Sequence, residues 1–184
     1  YYGIKEFNRA SEIYTKLYGT NSASINDDYA YYQFGQSLFK AGQSNRAIEE
    51  LRNLQIKFPK SKYSDEAQYL IGWINFQRGD FHKAIEEYQL IFSKYPNSPI
   101  APIAYNEIGN SYYNLGEYEN AISYYSRVIN DYPNSSYVFD AVNGIQYCYI
   151  AKDQPSNAVS FIDQYVDSHP TSKFSDQILF KKGE

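Results

Sequence analysis

Residues 104–133 read AYNEIGNSYYNLGEYENAISYYSRVINDYP, and this stretch contains two helical patterns separated by a glycine. The first pattern has apolar or aromatic residues three and four positions apart, at Tyr105, Ile108, Tyr112 and Leu115. The second restarts the same spacing, at Tyr118, Ala121, Ile122, Tyr125, Val128 and Ile129. Spacing of three and four is typical of an amphipathic helix, and Gly116 and Pro133 stand where such helices end. The stretch therefore predicts a helical hairpin.

The same hairpin pattern recurs along the chain with a period of 37 residues. Residues that share this spacing include Pro59, Pro96, Pro133 and Pro170, as well as Ala10, Ala47, Ala84, Ala121 and Ala158. Glycines form two further rows, Gly35, Gly72, Gly109 and Gly183 in one and Gly42, Gly79 and Gly116 in the other, which Asp153 continues. We interpret residues 1–184 as a single array: partial repeat 1–27, repeats 28–64, 65–101, 102–138 and 139–175, and partial repeat 176–184.

Glycines inside the predicted first helices need a physical reason, because Gly in a helix costs about 1 kcal/mol relative to Ala. Gly72 and Gly109 lie one turn after the start of the first helices, and Ala84 and Ala121 lie near the start of the second helices. These small residues favour close packing of the two helices in each hairpin. A lone hairpin buries too little apolar surface to be stable, so neighbouring hairpins must stack. The predicted fold class is an all-α helical-hairpin solenoid with a 37-residue repeat.

The quoted stretch resembles the tetratricopeptide (TPR) consensus at Tyr105, the Ile108-Gly109 pair, Tyr112, Gly116, Tyr118, Ala121, Tyr125 and Pro133. The pattern recurs around Gly72 and around Gly35, and it is weakest around Gln146. The resemblance implies a right-handed superhelix whose first helices line a concave surface that binds peptides or partner helices.

The linkers that follow the repeat-ending prolines carry a second resemblance. They share a Pro-x-Ser-x-aromatic pattern, as in residues 59–63, and they resemble linkers of bacterial envelope TPR proteins. These include the lipoprotein of the outer-membrane β-barrel assembly machine and the Tol-Pal-associated division coordinator. The resemblance implies a periplasmic scaffold, anchored to the outer membrane through a missing N-terminus, with a cytoplasmic location as the alternative. We expect Ser64 and Ser175 to be helix N-caps, and the full-length protein to continue in both directions.

Composition excludes several classes of function. A net charge of −4 disfavours nucleic acid as a partner, because phosphate binding needs clustered Lys and Arg. One cysteine, Cys148, and two histidines, His82 and His169, provide no metal-ligand set, and we predict no metal and no cofactor. No apolar run is long enough to span a membrane. Cys148 is expected to be a packed, inert thiol, and no catalytic constellation is present, so an enzyme is not predicted.

Projection of the TPR pattern onto this chain places an aromatic and amide-rich strip on the first helices. Aromatic rings offer contact area at low entropic cost, and amides pair with an extended backbone. The predicted partner-binding residues are Tyr29, Tyr32, Gln36, Glu66, Tyr69, Trp73, Asn106, Asn110, Tyr113, Asp140, Asn143 and Tyr147. Phe39, Phe76 and Ile103 complete the strip. Packing between helices is the favoured interpretation of Phe39, Phe76 and Tyr113, and it is an equal alternative for Tyr32, Tyr69, Trp73 and Tyr147.

The predicted function is a protein-interaction scaffold for a peptide or partner segment, in a bacterial cell-envelope assembly or regulatory complex. The Lys, Arg and Asn clamp by which some TPR domains hold C-terminal carboxylates is absent. Glu66, Glu107 and Asp140 further disfavour a strongly acidic ligand. Two alternatives stay open: a substrate-recruiting or regulatory module of a larger enzyme, and a cytoplasmic receptor for a signalling peptide. The sequence leaves the oligomeric state undetermined.

Overall fold

The computed structural model describes residues 2–18, 27–170, 174, 175 and 178. In this part of the chain there are nine α-helices and no β-strands. The helices are α1 (Tyr2–Tyr18), α2 (Asp28–Lys40), α3 (Ser44–Lys57), α4 (Ser64–Gln77), α5 (Phe81–Lys94), α6 (Ala101–Asn114), α7 (Tyr118–Asp131), α8 (Val138–Ala151) and α9 (Pro155–Ser168). No helix among the described residues has the length and apolar character needed to cross a bilayer. Of predicted partial repeat 176–184, Ile178 alone is described.

Each of the four predicted complete repeats contains two helices joined by a tight turn. Gly42, Gly79 and Gly116 occupy these turns with φ values of 78°, 77° and 76°. A positive φ costs an L-residue about 1–2 kcal/mol, and glycine avoids that cost. Asp153 adopts the same conformation in the last repeat, with a φ of 57°. The hairpin prediction is therefore confirmed, and its turn glycines have the expected role.

The glycines inside the first helices permit close approach of the second helix, as predicted, but large side chains rather than Ala84 and Ala121 lie against them. A Cβ at Gly72 would lie 2.5 Å from the Tyr88 ring, and one at Gly109 would lie 2.5 Å from the Tyr125 ring. At Gly35 the corresponding neighbour is Leu51, at 2.6 Å. A large apolar side chain of the second helix therefore lies directly against the backbone of the first.

The chain divides into two compact units, Tyr1–Ser98 and Pro99–Glu184, which we call unit 1 and unit 2. Both have apolar cores formed by side chains three and four residues apart on one face of each helix. The core of unit 1 contains Tyr31, Phe34, Leu38, Ala47, Leu51, Leu54, Ala67, Ile71 and Ile74. Buried residues of unit 2 include Ile108, Ala121, Tyr125, Val128, Val142, Ile145, Cys148, Ala158 and Ile162.

The linker serines, rather than Ser64, make the hydrogen bonds that order the start of the next hairpin. Ser61 Oγ accepts a hydrogen bond from the Tyr63 amide at 3.1 Å and donates one to Asp28 at 2.6 Å. Helix α4 begins at Ser64 with Tyr63 as its N-cap and without a side-chain capping bond. The N-cap prediction for Ser64 was therefore wrong by one residue. It was also wrong for Ser175, whose hydroxyl donates to the His169 carbonyl at 2.9 Å.

Candidate functional site

Three predicted contact residues of unit 1 come together around the Tyr32 ring. Tyr32 stacks on Tyr63 with 5.4 Å between ring centroids and an interplanar angle of 10°. Burial raises the pKa of Tyr32, and the negative charge of Glu66 raises this pKa further, while an interaction with Gln36 opposes the change. Tyr29 contacts the same Tyr63 ring, with 5.3 Å between ring centroids, and its side chain is exposed. Tyr63, a linker residue, thus holds the two predicted tyrosines in place.

A second aromatic cluster of unit 1 lies further along α4. Trp73 stacks on Phe76 with 5.5 Å between ring centroids and an angle of 8°, and both rings are half-buried. Phe76 in turn contacts Phe81 of α5 edge-on at 5.3 Å, which agrees with the packing interpretation of Phe76. The Tyr69 ring lies against Tyr88 of α5 with 5.5 Å between ring centroids, so Tyr69 also contributes to packing within the hairpin.

Unit 2 contains an open pocket of about 320 Å³ among α6, α7 and α8. Its volume is at the small end of the range for ligand pockets, which suits one side chain better than a whole cofactor. The lining residues are Asn110, Tyr113, Tyr125, Phe139, Asp140, Asn143, Gly144 and Tyr147. Five of these belong to the predicted strip, so the fold brings together predicted residues from α6 and α8. We call this cavity the unit 2 pocket.

The base of the unit 2 pocket is the ring of Tyr125. A Cβ at Gly109 or at Gly144 would lie 2.5 Å from this ring, so the ring occupies the space between the two glycines. The Tyr125 hydroxyl donates a hydrogen bond to Asn110 Oδ1 at 2.6 Å. Burial raises the pKa of Tyr125, so the hydroxyl stays protonated and remains a donor. Asn110 is therefore held in one orientation.

The electrostatic character of this region is acidic. Asn110 Nδ2 donates to Glu107 Oε2 at 3.2 Å, and only 9% of Glu107 is exposed. Burial raises the pKa of Glu107, and the charge of Asp140 raises it as well, while hydrogen bonds from Asn110 and Asn106 oppose the change. Asp140 itself lies exposed on the pocket. Two carboxyl groups thus lie on the same side of unit 2.

The two remaining predicted amides are both buried. Asn143 lines the unit 2 pocket with 7% exposure, and Asn106 has 5% exposure. Asn106 interacts with Glu107, and its Oδ1 accepts no hydrogen bond within the described residues. A ligand in the unit 2 pocket could therefore contact the Asn143 side chain.

Sequence reasoning missed three lining residues of the unit 2 pocket: Tyr125, Phe139 and Gly144. Tyr125 belongs to the apolar spacing of the second helix, and its side chain is 2% exposed. Gly144 carried a usable signal, because a glycine inside a helix needs a close neighbour to offset its cost. It stands two residues before the Gln146 position at which the glycine row is broken.

The cysteine and the two histidines of the chain have the following environments. Cys148 is fully buried, and burial first and the charge of Glu119 second raise the pKa of its thiol to about 12. The His169 ring stacks on Tyr165 at 4.5 Å, and His82 is exposed on α5. Among the described residues, three or more His, Cys, Asp or Glu side chains do not gather in a geometry that could hold a metal ion.

Comparisons with known proteins agree with this architecture. Residues 32–99 and 102–130 each match a family model described as tetratricopeptide repeat. One crystal structure of MamA has a TM-score of 0.69 at 24% identity, covering 97% of this chain and 92% of that one. MamA 41-end from Desulfovibrio magneticus RS-1 gives 0.61 at 15% identity, covering 93% of this chain and 97% of its own.

A third similar structure contains nearly identical TPR-like repeats of a Podosopora anserina kinesin light chain. Its TM-score is 0.67 at 12% identity, with 90% of this chain and 87% of that chain covered. No curated protein matches the sequence. These similarities concern the fold, and they confirm the predicted class, an all-α helical-hairpin solenoid of TPR type.

Proposed function

We propose, because this chain is a tetratricopeptide-repeat protein, that it is a scaffold that binds a peptide or an extended segment of a partner protein on its first helices. TPR repeats of known proteins serve protein–protein interaction, and this supports the general assignment. The fold type is one that typically carries no catalytic centre, and the scaffold role requires none.

The observation that carries the proposal is the unit 2 pocket. Its rim consists of Tyr113 and Tyr147, which are 37% and 46% exposed, beside the polar Asn143 and Asp140. Large aromatic rings with half of their surface in water contribute strongly to binding when a partner covers them. Amide side chains within a small pocket provide the directional hydrogen bonds that select a peptide.

The unit 1 clusters support the same role. Tyr29 is exposed and fixed against Tyr63, and Trp73 is fixed against Phe76. Ring stacking limits the motion of these side chains before a ligand arrives, which reduces the entropic cost of binding. A segment bound along the first helices would thus meet preorganised aromatic surfaces.

The location is a further part of the proposal. We place the protein in the bacterial cell envelope, within an assembly or regulatory complex, on the basis of the Pro-x-Ser-x-aromatic linkers of residues 59–63 and 133–137. Fractionation of cells that express the full-length gene provides the test. Recovery with the cytoplasmic fraction would overturn this part of the proposal and leave the binding role unaffected.

The binding role is tested by selection from a displayed library of random dodecapeptides, followed by calorimetry with the selected peptides. We expect Trp73→Ala and Tyr147→Ala each to weaken binding by at least about 1 kcal/mol while helicity is unchanged. Ile56→Ala is the matched control, because Ile56 is an exposed apolar residue on α3, outside the predicted strip. Equal loss in the control, or the absence of any selected peptide, would contradict the proposal.

A further inference from the structure

The repeat that contains the unit 2 pocket has a glycine where two preceding repeats have long side chains. Gly144 lies 37 residues after Glu107 and 74 residues after Leu70. Leu70 is packed against the core of unit 1, and Glu107 is buried. A side chain at position 144 would extend toward Tyr125, where a Cβ already meets the ring at 2.5 Å. The absence of a side chain at Gly144 therefore lets the Tyr125 ring lie at this position of the array.

The acidic groups near the pocket have no cationic partner. Among the described residues of unit 2, ion pairs join Arg127 to Asp131 and Lys152 to Glu119. Within residues 99–170 and the three described positions beyond, neither Asp140 nor Glu107 forms an ion pair, and no Lys or Arg lines the pocket. Asp140 is exposed and lines the pocket, and the buried Glu107 lies close to it, so the negative charge of Asp140 would attract a ligand cation to the pocket.

An independent feature of the pocket points to a ligand with hydrogen-bond donors. The Asn143 side chain lines the cavity and is only 7% exposed. It makes no hydrogen bond to the described residues. The polar atoms of this side chain are not sealed from solvent, so a group placed in the pocket can form hydrogen bonds with them. The Asn143 carbonyl oxygen accepts hydrogen bonds, which suits an ammonium or guanidinium group.

The aromatic lining favours the same chemistry. Tyr113, Phe139 and Tyr147 contribute three rings to the pocket, and Tyr125 forms its base. The face of an aromatic ring attracts a cation within about 6 Å of its centroid, and the ring also covers the methylene stem of Lys or Arg. A neutral aliphatic side chain would gain contact area but would leave Asp140 and Asn143 without partners.

We infer that the unit 2 pocket receives the side chain of a lysine or arginine of the bound segment, with Asp140 and the tyrosine rings contacting the cationic group. This inference rests on the proposed function, since it assigns one residue of the ligand that the scaffold binds. It defines a requirement that a partner must meet: a basic residue at the position that reaches α8.

The test uses the chain with four small probes in nuclear magnetic resonance titrations: the N-acetyl, N-methylamide derivatives of arginine, lysine, norleucine and glutamate. We expect the arginine or lysine probe to shift the Asn143 side-chain amide signal saturably. Its affinity should exceed that of norleucine by at least about fivefold, which combines a ring–cation contact with one exposed charge pair. The glutamate probe should leave the signal unchanged.

Substitution of the pocket carboxylate separates charge recognition from a purely apolar effect. Asp140→Asn should reduce the affinity of the basic probes to that of norleucine, and Asp140→Lys should abolish their binding. Asp167→Asn is the matched control, because Asp167 is exposed on α9 and does not line the pocket. Asp140 is itself exposed, so these variants should fold, and their circular dichroism spectra check this.

Each result distinguishes the inference from the proposed function. Equal affinity of norleucine and arginine, or no effect of Asp140→Asn, overturns the inference and indicates an apolar occupant. If selected peptides bind without any basic residue, and none of the four probes shifts the Asn143 signal, the inference is overturned while the scaffold role stands. If neither peptides nor probes bind, both fail.

Discussion

Ser61 Oγ donates a hydrogen bond to Asp28 Oδ2 at 2.6 Å, and Ser98 Oγ donates an equivalent bond to Asp65 Oδ2 at 2.6 Å. Both bonds join the linker after a hairpin to the first turn of that hairpin's first helix. They span 33 residues in each case and recur with the repeat period. The linker serine therefore closes the hairpin, which gives the Pro-x-Ser pattern a structural role.

Ser61→Ala should lower the free energy of unfolding by about 1 kcal/mol, since a hydrogen bond to a charged acceptor is lost. Urea denaturation followed by circular dichroism measures the change. In a double-mutant cycle with Asp28→Asn, the two losses should be less than additive. Ser160→Ala, at an exposed position of α9, is the control and should have little effect. Full additivity would show that the two side chains act independently.

Asp153→Gly should stabilise the protein by about 0.5–1 kcal/mol, because Asp153 adopts a φ of 57° in a turn where the other repeats have glycine. The converse change, Gly116→Ala, should destabilise it by about 1 kcal/mol or more, since Gly116 has a φ of 76°. Thermal unfolding measures both. A lower melting temperature for Asp153→Gly would mean that the aspartate side chain contributes a contact worth more than the strain.

Glu107 should make stability depend on pH. Burial and the nearby charge of Asp140 raise the pKa of Glu107 above its usual 4.5, so the folded state binds the proton more tightly than the unfolded state does. The contribution of Glu107 to the free energy of unfolding is fully present below its ordinary pKa of 4.5. It is lost as the pH rises through the pKa of Glu107 in the folded state. Glu107→Gln should therefore raise the melting temperature at pH 7, and this difference should shrink toward pH 4.

Glu86→Gln provides the control for the pH experiment, because it removes one exposed carboxylate from α5. It should leave the pH profile close to that of the wild type. A melting temperature at pH 7 that is lower in Glu107→Gln than in the wild type would contradict the prediction.

Cys148 should react with a thiol reagent only when the protein opens. Burial raises the pKa of its thiol to about 12, and the side chain is inaccessible. At pH 8 the rate of modification should therefore follow the population of unfolded protein as urea is added. A Cys148→Ala, Ser160→Cys variant supplies the comparison, since its surface thiol should react at once. Rapid labelling of native Cys148 would contradict the described packing.

Most of the fold could be predicted because the repeat reports the same structure several times. The spacing of apolar residues predicts the turn at Gly116 and the helices on both sides of it, and the structure confirms this prediction. The N-cap at Ser64 could not be obtained this way, because it depends on where the linker turn ends. Ser61 orders that turn by accepting from the Tyr63 amide, so the helix begins one residue earlier than the capping pattern indicates.

The candidate site was less accessible from sequence. Projection on the first helices named Asn110, Tyr113, Asp140, Asn143 and Tyr147, all of which line the unit 2 pocket. It could not provide the cavity itself, because its base is the Tyr125 ring of another helix, which lies against Gly109 and Gly144. Nor could it separate exposed members of the strip from Asn106, which is buried.

The ring of Tyr125 between Gly109 and Gly144 has a consequence for any attempt to alter specificity. One side chain serves as both the spacer between two helices and the bottom of the recognition cavity, so mutations there would confound affinity with folding. Diversification of the rim at Tyr113, Asp140 and Tyr147, with Tyr125 and both glycines kept, is the route by which new ligand preferences can evolve or be engineered on an intact framework.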